Sequence, residues 1–148
     1  MYTRNKTLFI RIVALAMVIV MVAPVCASAA TTVQPRASAY LSTYAAYVYL
    51  PGDGEVQVYF NVEGTGYMDE LGVLFVRIYE STDGTNWTWM DTFRHDTTPG
   101  MLSYNDDFHY GMVSYDGVAG RYYKAYVCVW GGKDGDGDTR FFWTSVKH

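Results

Sequence analysis

The feature that most constrains this chain is a period of two. Across Ala119–Trp130 (AGRYYKAYVCVW), Tyr123, Ala125, Val127 and Val129 fall on one side, and Tyr122, Lys124, Tyr126, Cys128 and Trp130 fall on the other. Such alternation marks a half-buried strand, and the lysine sets its direction because an ammonium group has to reach water. The Tyr/Ala/Val/Val side is therefore the expected core face. Glu55–Glu63 alternates as cleanly, with Val56, Val58, Phe60 and Val62 set against Glu55, Gln57, Tyr59, Asn61 and Glu63. Beyond Ala30, apolar residues nowhere recur at helical spacing over three turns, so an all-β fold is expected.

The first 29 residues read differently. Arg4, Lys6 and Arg11 form a basic start, Ile12–Val22 is an unbroken apolar run, and Ala27-Ser28-Ala29 offers a small-residue cleavage site. This is the three-part secretory signal, with an apolar run too short to span a bilayer. Val25 stands before Cys26 where lipid attachment requires a small residue, which speaks against lipidation. The expected organisation is a signal peptide at 1–29, a flexible tether at 30–38 and one β-sandwich domain at 39–148.

Removing the leader takes the formal charge from −4 to about −7. An acidic chain with scattered basic residues has no electrostatic footprint for nucleic acid. No later segment approaches membrane-spanning length, so the expected product is secreted and extracellular. Half of the chain is apolar and 17% is aromatic, enough for a core without covalent staples. Past the leader only Cys128 remains, so no intrachain disulfide can form. Shielding between neighbouring aromatics is its expected state.

About seven short strands with turn signals between them are expected, arranged as an antiparallel sandwich. Strand one (Tyr40–Leu50) turns through Pro51-Gly52-Asp53-Gly54 into strand two (Glu55–Glu63). Gly64–Glu70 reads as a loop crossing between sheets. Leu71–Ser81 is the third strand, with Leu74, Val76 and Ile78 inward and Phe75, Arg77 and Tyr79 outward. Trp87–Phe93, Leu102–Tyr115, the opening stretch and Arg140–Lys147 supply the rest, with a glycine-aspartate loop at Gly131–Asp138. Tyr123, just after a glycine-bearing corner, occupies the place of a Greek-key tyrosine corner. With YESTDGTNWT as a third hairpin and no inter-sheet cysteine pair, the pattern resembles a fibronectin type III/Ig-like sandwich. Strands one, two and five would then pack on strands three, four, six and seven.

The leader, GTGYMDELG, YESTDGTNW and AGRYYKAYV, in this order, resemble a family of short, uncharacterised secreted proteins of Gram-positive, often gut, bacteria. The resemblance covers nearly all of the chain past the leader. It implies export and a small β-domain, and it brings no catalytic residues with it.

The candidate ligand-binding surface is the outer face of the second sheet. It gathers Phe75, Arg77, Tyr79, Tyr122, Tyr126, Trp130, Phe141 and Trp143, together with Lys124. Contiguous exposed aromatic area marks a contact surface, and flat rings can stack on sugars or anchor a protein partner. Outward aromatics also make ordinary cross-strand pairs, the competing explanation.

Asp134, Asp136 and Asp138 have the alternate spacing of a calcium loop, but Thr139 and Ser145 stand where glycine and glutamate belong. STDGTNW is one residue short of an Asp-box, and Asn86-Trp87-Thr88 fits a glycosylation acceptor. His95 and His109 lie near acids and read as solvated loop residues, and Cys128 sits mid-strand away from either. No nucleophile elbow, phosphate loop or paired-histidine motif is present. The expectation is a non-enzymatic binding module without cofactor or metal, contacting a glycan or protein partner. The alternatives are a calcium-dependent module or hydrolase built on the loop acids and histidines, and a structural or self-associating protein.

Overall fold

A computed structural model describes residues 38–148. The expected signal peptide and all of the expected tether except Ser38 lie outside the described residues. These residues are all-β, with six strands: β1 (Leu41–Gly52), β2 (Glu55–Ser81), β3 (Thr88–Arg94), β4 (Leu102–Asp116), β5 (Tyr122–Lys133) and β6 (Asp136–Trp143). Every strand pairing is antiparallel.

The 27-residue β2 organises the fold. Its first part lies between β1 and β4, and its last part between β3 and β5, with β6 outside β5. The loop expected at Gly64–Glu70 is instead part of this strand. Between the pairs Glu63↔Phe108 and Met68↔Asp106, β2 has four residues where β4 has one, forming a wide bulge. A bulge bends and twists its strand, which lets one continuous chain serve two packed layers. Gly64 is buried in the bend, and a Cβ there would meet Gly66 O at 2.6 Å.

Inward residues from both layers form one core: Val58, Phe60 and Val62 from early β2, Val76 and Ile78 from late β2, and Tyr123, Ala125, Val127 and Val129 from β5. Val48, Val113 and Phe142 complete it from β1, β4 and β6. The result is sandwich-like. The inward set read for β5 is wholly buried, so the direction taken from Lys124 holds.

In late β2 the facing differs at one position. Leu74 was expected inward, but two β2 residues face one β5 residue between Val73↔Val129 and Phe75↔Cys128. Leu74 sits in that bulge half-buried, and Val73 takes the core position.

Two hairpins close through Asp-Gly pairs. Asp53-Gly54 and Asp134-Gly135 have positive φ at both residues, the requirement of a two-residue turn matched to strand twist. The glycine-aspartate loop expected at Gly131–Asp138 is thus mostly strand, closed by a two-residue turn. The last strand, expected to reach Lys147, ends at Trp143, after which Lys147 rejoins Tyr123 through an isolated bridge.

At the corner before β5 the expected tyrosine contact is present. Tyr123 Oη accepts a hydrogen bond from Val118 N–H at 2.6 Å and donates to Glu80 Oε2 at 2.7 Å. Glu80 also pairs with Arg121 at 3.2 Å. Gly117 must be glycine here, since a Cβ would lie 2.5 Å from the Tyr123 hydroxyl.

Candidate functional site

The outer face of late β2, β5 and β6 is built by register. Phe75 and Phe141 flank Cys128 in one row, and Arg77, Tyr126 and Trp143 share the next. Tyr79 then stands opposite Lys124, and Ser81 opposite Tyr122. The rings touch in sequence. Phe75 and Phe141 lie 6.2 and 6.1 Å from Tyr126, Tyr126 lies 4.8 Å from Trp143, and Trp143 meets the edge of Tyr79 at 5.0 Å. Phe141 and Trp143 are the most open, at 54% and 46% exposure.

The two cations of this face are held by rings. The Arg77 guanidinium lies 4.8 Å from the Phe75 centroid. The Lys124 ammonium lies between two indoles, 4.2 Å from Trp87 and 4.5 Å from Trp143. Ring quadrupoles attract cations in this geometry. Neither Arg77 nor Lys124 pairs with a carboxylate among the described residues. Lys124 therefore does more than point outward: it joins the loop before β3 to β6 across the sheet. The contribution of Trp87 was not foreseen, because the facing of its strand could not be read from sequence.

Of the eight expected site residues, six form this cluster: Phe75, Arg77, Tyr79, Tyr126, Phe141 and Trp143. Two stand apart. Trp130 shares the outward parity, but its indole folds back over the next hairpin, donating from Nε1 to Glu70 at 3.2 Å. A Cβ on Gly132 or Gly137 would come within 2.6 or 2.3 Å of that ring, so both glycines make its seat. Tyr122 stacks on His148 at 4.1 Å near the opposite end of β5. Cys128 is buried, and desolvation pushes its thiol up to about 11, so it stays protonated.

The other candidates have structural occupations. His109 is a buried strand residue rather than the solvated loop residue expected. Its Nε2 lies 3.1 Å from Gly100 O and its ring packs 5.9 Å from Phe60, while burial lowers its pKa. His95 is exposed in the turn after β3.

The nearby Ser38 and the pairing with Arg140 lower the pKa of Asp138 against the effect of burial. The Asp134 backbone donates to Asp69 at 2.7 Å, and no group of three or more His, Cys, Asp or Glu is poised for a metal among the described residues. In STDGTNW, the Asp83 carboxylate accepts from Ser81 Oγ, the Thr85 and Asn86 amides and the Asn86 side chain, which holds its pKa far down. That aspartate ties a hairpin turn.

A second aromatic surface lies on the outer face of β1, early β2 and β4. Tyr47, Tyr59 and Met112 share a row, with Tyr49 and Tyr110 in adjoining rows. Tyr59 stacks on Tyr47 at 5.3 Å and on Tyr110 at 6.1 Å. Gln57 and Glu55 bind its hydroxyl in a chain, Tyr59 Oη donating to Gln57 and Gln57 Nε2 to Glu55, each at 2.8 Å. Sequence reasoning missed this face. The Asp53-Gly54 turn alone would set Tyr47 opposite Phe60; the register shift between Tyr49 and Gly52 moves it opposite Tyr59. Tyr110 joins this face through the pairing of β4 with early β2, where it stands opposite Asn61.

No family model, curated protein or solved structure matches the chain.

Proposed function

We propose that this is an exported, non-catalytic binding module that works by surface contact through the late-β2/β5/β6 face. The observation carrying this reading is the continuous ring cluster Phe75–Phe141–Tyr126–Trp143–Tyr79, with ring-held cations over Phe75 and Trp143. Contiguous aromatic area with arginine is the composition of contact hot spots. The two cations pre-organise the rings, which lowers the ordering cost of binding. The partner is a glycan or a protein. Non-catalytic action is supported by the structural use of His109 and Cys128.

The fold belongs to the same reading: dividing β2 at its bulge restores seven strands, with the sheet pairing of a fibronectin type III-like sandwich. Among the described residues, no helix is long and apolar enough to cross a membrane.

The test is retention of the processed protein on a glycan array and on immobilised extracellular proteins, compared with Phe141→Ala and Trp143→Ala. Wild type should be retained on at least one surface and both variants released, with melting temperatures little changed. Equal retention of all three overturns the assignment of this face.

A further inference from the structure

The two outer faces differ in charge as sharply as they agree in aromatic content. β1, the part of β2 before Arg77, and β4 contain no lysine or arginine. Their outward rows carry Glu55, Glu63 and Asp116 beside the tyrosines. The opposite face carries Arg77 and Lys124, with no acidic residue in the rows from Phe75 to Tyr79 on β2, β5 and β6. A small domain exposing one aromatic patch is usual for a contact protein; two on opposite sides call for two partners or for one that supplies both.

We propose that the occupant of each face is a second copy of this chain, the cationic face of one copy seated on the acidic tyrosine face of the next. This rests on the surface-contact reading above and names its partner. One interface then accounts for both patches, with charges of opposite sign meeting across rings rich in Tyr, Trp and Arg. The two patches lie on opposite sides of one sandwich-like fold, so the contact is heterologous. It does not close at two copies but continues as an open stack.

The size of the interface sets its strength. Three strands at about 4.8 Å and four rows at about 6.8 Å give a patch on the order of 400 Å² per copy, in the range of weak, reversible association. Assembly is therefore expected at high local concentration, and salt should weaken it.

The test uses the processed protein in sedimentation equilibrium over a wide concentration range. The weight-average mass should rise past two protomers without a plateau and fall towards the monomer in about 1 M NaCl. Arg77→Glu and Glu63→Lys, both at exposed positions, should each remain monomeric with an unchanged far-ultraviolet spectrum. Each variant alone opposes like charges, but an equimolar mixture presents opposite charges at every junction, so mixing should restore growth.

A wild-type monomer throughout, a closed dimer, or single variants that still assemble would overturn the inference. Should the monomer instead retain an acidic oligosaccharide through Arg77, the stack is wrong and the binding-module reading stands. If it retains neither saccharide nor protein, both fail.

Discussion

Replacing Tyr123 by phenylalanine isolates the corner that joins the two layers, because only the hydroxyl is removed. That oxygen accepts from Val118 N–H at 2.6 Å and donates to Glu80 at 2.7 Å, in a residue that is 1% exposed. A buried neutral hydrogen bond contributes about 1 kcal/mol and one to a charged group about 1.5–3 kcal/mol. The expected loss is therefore about 2–4 kcal/mol. For a domain of this size it should lower the melting temperature by roughly 8–15 °C. Urea unfolding followed by tryptophan fluorescence, with a differential scan, measures it.

Tyr79→Phe is the control, since the Tyr79 hydroxyl makes no hydrogen bond among the described residues, and should shift melting little. The corner also has an alkaline signature. Burial and the Glu80 carboxylate push the Tyr123 phenol up to about 12 from its ordinary 10.0. The unfolded chain releases that proton first, so this stabilisation is complete below pH 10 and is lost as pH rises towards 12. Tyr123→Phe should remove that share of the alkaline decline. A variant melting within about 2 °C of wild type would refute the reasoning.

Lys124→Met keeps the aliphatic stem and removes the charge between Trp87 and Trp143, so it should cost about 1–2 kcal/mol in urea unfolding. A Trp87→Leu background should shrink that cost, as a double-mutant cycle would record. Burial lowers the pKa of His109 below its ordinary 6.5, so the unfolded chain takes up the proton first and stability should fall as pH drops below 6.5. His109→Gln should flatten that slope between pH 6.5 and about 5, above the range of the carboxylates, as melting scans across pH would show. Gly137→Ala should unseat the Trp130 indole and cost about 1–3 kcal/mol, with a red shift in fluorescence, whereas Gly135→Ala has free space around its Cβ and should cost only the strain of its positive φ.

Much of the architecture was legible locally. The facing of β5, the β1–β2 hairpin with its Asp53-Gly54 turn, and the Tyr123 corner each follow from a period or a turn residue acting over a few positions. The grouping of six of the eight candidate residues was legible for the same reason, since parity puts Phe75, Arg77, Tyr126 and Trp143 on one side of adjoining strands. What escaped depended on cross-strand register. Gly64–Glu70 looks like a loop because glycine and polar residues crowd there, yet pairing with β4 and β5 holds its flanks extended. Trp130 shares its neighbours' parity and still leaves them, because Gly132 and Gly137 open a recess for its ring.

The chain itself determined which side chains alternate, where it can turn, and that its folded part is made of strands, because sterics and burial act on neighbouring residues. Only the tertiary structure decided who stands across from whom. The bulges in β2 set that register, seating Lys124 between two indoles contributed by distant segments and collecting tyrosines from three strands on the other side. Contacts of this kind depend on distances between strands, and a residue's own neighbours in the chain carry no record of them.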